Sequence, residues 1–283
     1  MTVLVAIVCL VLIAIVLQAI ELMKFRITGY EVCSALVTQP LRLAVLSDLH
    51  GKVFGHDNQA LYEAIRSIEP DAILLTGDMI TAKKTKQYNA VYRFLVSLTE
   101  IAPVYYELGN HEQRVMEEES KYYEAFSKYL EQIQNSEITV LDNEYAKIND
   151  EVEVIGLTVP NECFEKHMDY DLEDSFFDEK FPEFEEEGFT IMMAHSPKFM
   201  ETYLKWPPDL VLSGHNHGGL VRIPGGPSII SPEFKFFPQY DGGHYQKDDK
   251  NIIVSKGLGT HTFHIRIFNR AELLAVSIVP EKH

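Results

Sequence analysis

The chain has 283 residues, 46% of them hydrophobic and 24% charged, with a formal net charge of −17. That length and composition fit one or two globular domains with a sizeable core, and the negative balance speaks against charge-driven binding of long nucleic acid. Three scattered cysteines, Cys9, Cys33 and Cys163, form no C-x-x-C pair, which excludes a disulfide framework and a thiolate metal site.

Val3 to Ile20 reads V-L-V-A-I-V-C-L-V-L-I-A-I-V-L-Q-A-I, with Gln18 the one strongly polar residue and no charge. About 18 such residues reach the lower limit for a bilayer-spanning helix. A cleaved secretory signal would carry Lys or Arg before the run and a small-residue cleavage site after it. Here the start is M-T and the run leads into E-L-M-K-F-R. Residues 1–23 are therefore expected to form an uncleaved transmembrane anchor. Lys24 and Arg26 follow it, so the positive-inside bias places the main domain in the cytoplasm, with the extracytoplasmic side as the alternative.

Residues 24–40 carry little pattern and read as a linker or lead-in strand, and the main domain is expected over 41–283. Short apolar runs at 41–47, 71–76, 103–108, 151–157, 189–194 and 209–213 read as strands. Segments of helical period separate several of them, at 58–68, 90–98 and 122–133. Strands alternating with helices imply an α/β architecture. After Gly219 the pattern turns β-rich, with strands read in L-V-R-I-P-G-G, I-I-V-S-K-G-L-G, F-H-I-R-I-F-N-R and A-E-L-L-A-V-S-I-V. Together these suggest two sheets packed on each other with helices outside. Residues 161–188 hold about a dozen Asp and Glu with little period and read as an inserted, solvated acidic loop, a lid over the site being the alternative.

The residues that follow the apolar runs carry the chemistry. L-A-V-L-S leads to Asp48 and His50, A-I-L-L-T to Asp78, Y-E-L to Asn110 and His111, I-M-M-A to His195, and L-V-L-S to His215 and His217. Ligands of an α/β sheet bind beyond the carboxyl ends of its strands, so these side chains should converge on one crevice. Two carboxylates, one amide and five imidazoles are ligands for divalent Mn, Fe or Zn, and they suit two ions better than one. Two such ions can clamp an in-line displacement at phosphorus and supply hydroxide at neutral pH. In extended chain, residues i and i+2 point the same way, so D-x-H and H-x-H would each turn both side chains to one site. Each piece alone is ordinary turn chemistry. The specific signal is the ordered set D-x-H, G-D, G-N-H, H, G-H-x-H.

That ordered set resembles the calcineurin-like metallophosphoesterase superfamily over about residues 41–280. The forms S-D-L-H-G, G-N-H-E, G-H-N-H-G-G, G-L-G-T and R-I-F-N-R-A-E-L are most similar to its bacterial branch with an N-terminal membrane or export segment. The resemblance implies a four-layer α/β fold, two mixed sheets face to face and flanked by helices. It implies two divalent metal ions, one held by Asp48, His50, Asp78 and His217, the other by Asp78, Asn110, His195 and His215, with Asp78 bridging. His111 would be the catalytic non-ligand, stabilising the transition state or protonating the leaving oxygen. The activity implied is hydrolysis of a phosphodiester, pyrophosphate or phosphomonoester. The anchor adds the expectation of a lipid-linked substrate, as in relatives that cleave UDP-2,3-diacylglucosamine. A metal-dependent nuclease or cyclic-nucleotide phosphodiesterase, and a non-catalytic metal-binding scaffold, are the alternatives. His56, His167, His244, His261 and His264 match no position of the pattern; His264 is expected to alternate within a strand and His244 is a weaker candidate to line the site. Arg222 and Arg266 read as sheet-surface charges, with contact to a phosphate as the alternative.

Overall fold

The computed structural model describes residues 2–82, 85–117, 120–164, 171–232, 234–260 and 264–281. A long apolar helix, α1 (Thr2–Met23), precedes β1 (Phe25–Ser34), β2 (Leu41–Leu46), α2 (Gln59–Ile68), β3 (Ala72–Thr76), α3 (Tyr88–Leu98), β4 (Val104–Glu107), α4 (Asn110–Met116), α5 (Tyr123–Gln134) and β5 (Ile138–Leu141). There follow β6 (Glu144–Lys147), β7 (Val152–Gly156), α6 (Phe176–Lys180), β8 (Phe189–Met193), α7 (Met200–Tyr203) and β9 (Leu210–Ser213). The chain closes with β10 (Val221–Arg222), β11 (Ser228–Ile230), β12 (Gly243–Lys247), β13 (Lys250–Val254) and β14 (Ala271–Pro280).

Two six-stranded sheets result, in the orders β1-β14-β2-β3-β4-β5 and β12-β13-β9-β8-β7-β6. Both are mixed: β2 to β5 run parallel, as do β7, β8, β9 and β13, while β14 is antiparallel to β2 and β6 and β12 are antiparallel edges. Alternation along β2 shows how the layers form. Leu43 and Val45 join Leu74, Val154, Ile191, Leu212 and Val276 between the sheets. Ala44 and Leu46 join Leu61, Ile65, Leu95 and Phe126 under the helices. Both faces of the central strands are thus buried, as parallel strands require. On the far side, Ile155, Met192, Val211 and Ile252 pack against Tyr203, Trp206 and Phe177. The four-layer α/β arrangement expected from the sequence is present.

Three local expectations change. Of the two readings for residues 24–40, the strand holds over Phe25–Ser34, where β1 pairs in parallel with β14 along its whole length. Alternation was hard to see there because an edge strand buries little; only Val32 is fully buried. The stretch F-H-I-R-I-F-N-R is not a strand: of its described residues only Ile267 makes a bridge, to Val221, so His264 does not alternate within one. Arg266 is drawn inward there, 1% exposed, and donates to the carbonyls of Lys256, Gly257, Gly259 and Asn269. Over its described residues, 161–164 and 171–188, the acidic segment is not simply a solvated loop: Leu172, Phe177 and Phe181 enter the core with Trp206.

Candidate metal centre

The carboxyl ends of β2, β3 and β4 in one sheet and of β8 and β9 in the other converge on one region. Of the eight expected residues, seven are buried and His215 is half-buried. The backbone brings them there by a route unlike the expected one. Asp48, His50, Asp78, His215 and His217 all have positive φ, at 52°, 50°, 56°, 66° and 49°. The D-x-H and H-x-H pairs therefore point inward through left-handed turns, not through extended chain. Such conformations disfavour side chains with a Cβ, and they persist only where surrounding contacts hold them.

Those contacts are visible. The N–H groups of Asp48, His50 and Gly51 donate to the carbonyls of Gly77, Asp78 and Met79, locking the first turn onto the second. Ser47 Oγ donates to Asp48 Oδ2 at 2.6 Å, and the His215 N–H reaches both oxygens of Asp48 at 3.1 Å. Asn269 Nδ2 donates to the carbonyls of His217 and Gly219 at 2.7 and 2.6 Å. A Cβ on Gly214 would overlap Ser47 Oγ and Asp48 Oδ2, and one on Gly109 would overlap Asp78. The turns close this tightly only with glycine at those two places.

Three sets of ligand atoms lie within 4.8 Å of one another: Asp48, His50 and His217; Asp78, His195 and His215; and His50, Asp78 and His111. His50 Nε2 is 3.2 Å from His217 Nε2 and 3.9 Å from Asp48 Oδ1. Asp78 Oδ2 lies 3.2 Å from His195 Nε2, 3.8 Å from His50 Nε2 and 4.0 Å from His111 Nε2. Asn110 Oδ1 is 2.9 Å from His215 Nδ1. All eight side chains are thus brought together.

The donor set fits divalent cations. Two ring nitrogens converge at 3.2 Å beside a carboxylate, and buried His195 Nε2 faces Asp78 Oδ2 without hydrogen-bond geometry. A shared cation satisfies such groups together. Carbonyls fix the ring orientations: His50 Nδ1 faces Ile80 O at 3.3 Å and His195 Nδ1 faces Thr76 O at 2.8 Å, which favours a proton on Nδ1 and turns Nε2 towards the neighbouring candidate ligands. Burial holds the His50 imidazole well below its ordinary pKa against the pull of Asp78, favouring the neutral, ligating form. Burial alone would raise the Asp78 carboxyl, but His195, His111 and His50 outweigh it and hold the group well below the usual range.

His111 is oriented differently. Its Nδ1 accepts the Ala82 N–H at 3.1 Å, so a neutral ring carries its proton on Nε2, facing the centre. Glu112, next in the chain, was not singled out by the sequence, although it is the E of G-N-H-E. Its carboxylate accepts from the N–H groups of Asp78 and Ile80 and from Tyr106 OH at 2.8–3.1 Å. Glu107, held well above its ordinary pKa by burial, accepts from the His195 N–H. Asn269 was not singled out either, although it is the N of R-I-F-N-R-A-E-L.

The other candidates lie elsewhere. His56 is exposed beside Asp57. His244, on β12, bonds Asn251 Oδ1 at 3.0 Å and packs on Tyr30. His167 and His261 lie outside the described residues. Arg222 is no surface charge: it is buried, paired with Asp241, and donates to Gly218 O, Asp241 O and Gly226 O. Arg266 is likewise a buried backbone clamp. Both guanidiniums donate chiefly to carbonyls, and that of Arg222 also pairs with the Asp241 carboxylate. At the start of the acidic segment, Phe164 packs its ring 5.5 Å from that of His215.

Known proteins are similar to this chain in sequence. An uncharacterized metallophosphoesterase of Bacillus subtilis, YkoQ, is 28% identical over 240 residues, covering 82% of each chain. The phosphodiesterase YaeI of Escherichia coli is 28% identical over 263 residues, covering 92% of this chain and 88% of its own. The UDP-2,3-diacylglucosamine pyrophosphatase LpxG of Chlamydia muridarum is 24% identical over 225 residues, 65% of each. The family pattern described as calcineurin-like phosphoesterase matches residues 41–219, a span that begins at β2 and ends just past His217 and so contains every residue of the centre. The chain therefore belongs to the calcineurin-like phosphoesterases and is a metal-dependent hydrolase of phosphoric esters.

Proposed function

We propose that Asp48, His50, Asp78 and His217 hold one divalent ion and Asp78, Asn110, His195 and His215 a second, and that the substrate is a phosphodiester, pyrophosphate or phosphomonoester at a membrane surface. The observation that carries the two-ion reading is Asp78. Its Oδ2 lies within 4.0 Å of the Nε2 atoms of His50, His111 and His195, which approach from different elements, so one carboxylate serves two neighbouring ligand sets. Bound there, the ions would supply a nucleophilic water at neutral pH and a positive clamp on the phosphoryl oxygens; Mn, Fe and Zn all suit these donors.

The chain's own groups do the rest. Burial keeps His111 below its ordinary pKa against the pull of Asp78, and its Nε2 proton faces the centre. From there it donates to the leaving oxygen, or bonds a phosphoryl oxygen in the transition state. Thr76 and Ile80 orient His195 and His50 through their carbonyls, and Glu112 positions the Asp78 turn.

The membrane enters through α1. Val5–Met23 is long and apolar enough to cross a bilayer and is not buried against the domain. An apolar helix that the protein leaves uncovered fits a lipid environment, and Lys24 and Arg26 after it favour a single-pass anchor with the catalytic domain in the cytoplasm. A lipid-linked ester is the substrate class that such an anchor serves, and the named substrate of LpxG is of that class.

The test uses the full chain in detergent. Metal content is measured, then turnover of bis-p-nitrophenyl phosphate and p-nitrophenyl phosphate with Mn, Zn or Fe added. Turnover that needs metal and is abolished in Asp78→Asn is expected. Full metal content and activity in that variant would overturn the assignment. Equal turnover of lipid-linked and water-soluble esters by the vesicle-bound chain would remove the lipid reading.

A further inference from the structure

The surface beside α1 has its polarity inverted. Arg266 is 1% exposed, whereas its neighbours Ile265 and Ile267 are 38% and 37% exposed and Phe268 is 58% exposed. A water-facing loop would place these the other way round. On the neighbouring segment Phe236 and Phe237 are 72% and 63% exposed.

These side chains form one surface. Ile267 bridges Val221, Val221 pairs with Ile230, and Ile230 bridges Phe236. Laterally paired residues lie on the same face of a sheet. Ile267, Val221, Ile230 and Phe236 therefore form a row of four apolar side chains, roughly 14 Å across three strand spacings. None of the four is buried.

The row is fastened to the apolar helix. Gln18, the polar residue within the apolar run, donates to His264 O at 2.8 Å and accepts from the Arg266 N–H at 3.0 Å, gripping the loop on both sides of Ile265. One turn on, Glu21 pairs with Arg270 at 3.1 Å. Lys52, two residues after His50, donates to Leu22 O. The same loop is fastened to the metal centre: Phe268 faces out while Asn269 holds the carbonyl of His217.

We infer that residues 265–268 and 236–237 form a lipid-facing apron, whose Ile and Phe side chains enter the headgroup–acyl boundary of the bilayer that α1 crosses. Exposed apolar surface of this kind marks a membrane or protein contact. The occupant is lipid because the patch is continuous, through Gln18, with a helix that is itself apolar and uncovered. The inference rests on the anchor reading of α1 and adds to it a fixed docking face, which presents the metal centre to esters carried in that bilayer.

The experiment places a tryptophan on the apron of the full chain, by Phe236→Trp and separately Phe268→Trp, in phosphatidylcholine vesicles with and without dibrominated lipid. The native tryptophan, Trp206, is buried in the far core and gives the reference signal. Tyr145→Trp is the control: Tyr145 is exposed on β6, at the sheet edge opposite β1 and β12. Flotation after an alkaline wash is measured first. Co-flotation, with at least twofold quenching of both apron tryptophans and none of the Tyr145→Trp signal, is expected. Co-flotation with no quenching beyond the parent overturns the apron and leaves the anchor standing. Equal quenching of the Tyr145→Trp control shows general adsorption and also overturns the apron. Failure to float overturns the anchor, and the apron with it.

Discussion

Glu112 Oε2 accepts the backbone N–H of Asp78 at 2.9 Å, so one buried carboxylate positions another through the main chain. Burial first, and the charge of Asp78 second, push the Glu112 carboxyl up to about 7. Removing this acceptor leaves the N–H groups of Asp78 and Ile80 buried without their partner. Glu112→Ala should therefore cost about 1–3 kcal/mol for each orphaned group, and metal affinity should fall roughly 10–100-fold, as for other groups that orient ligands. Urea unfolding and a metal titration check this. An unchanged metal affinity would show that the Asp78 turn holds itself.

His111 and His217 should separate in a metal assay. His111→Ala is expected to keep both ions and lose roughly 10²–10⁴ in turnover, the usual contribution of a positioned acid or base. His217→Ala is expected to lose ion content along with activity. Elemental analysis beside kinetics on bis-p-nitrophenyl phosphate distinguishes them. Loss of an ion in His111→Ala would make this imidazole a ligand, as its grouping with His50 and Asp78 allows.

Gly109→Ala tests close approach alone. Gly109 has an ordinary φ of −76°, so alanine brings no backbone strain; what it brings is a Cβ overlapping Asp78. The variant should fold and lose metal. Gly29→Ala, in β1 with only Ala275 O near its Cβ position at 4.0 Å, should be neutral or slightly stabilising. Circular dichroism and metal content on the two variants give the comparison.

Chelation should destabilise the folded chain. The buried cluster of carboxylates and imidazoles exists only when the two sheets are assembled, so ions bind the native state in preference. At a hundredfold excess over Kd this linkage is worth about 2.7 kcal/mol per ion, or a rise of about 5–10 °C in Tm for a domain of this size. Thermal melts in EDTA and in Mn or Zn measure it. Superimposable melts would mean that no ion binds.

The convergence of the candidate side chains could be read from the chain because each follows a short apolar run of the length and composition of a buried strand. Asp78 after A-I-L-L-T and His215 after L-V-L-S are of this kind. Five positive φ values could not be read: Asp and His enter left-handed turns more readily than most residues, yet the great majority of them keep φ below zero, and here tertiary contacts such as His215 N–H to Asp48 select the turn. Glu112 was present in a recognised motif, yet its role lies in what its oxygens accept, which no spacing reveals. Arg266 misled because isoleucine and phenylalanine around an arginine look like a strand with an outward charge. The buried carbonyls of Lys256, Gly257 and Gly259 reverse it.

Between α1 and β1 stands one residue, Lys24. No flexible tether separates the helix from the first sheet, and β1 is bound along all ten of its residues to β14. With α1 in a bilayer, as proposed above, a phosphoesterase joined so stiffly would not swing out to sample the surrounding solution. It would patrol as its helix drifts, and would chiefly meet phosphates that travel at the same level.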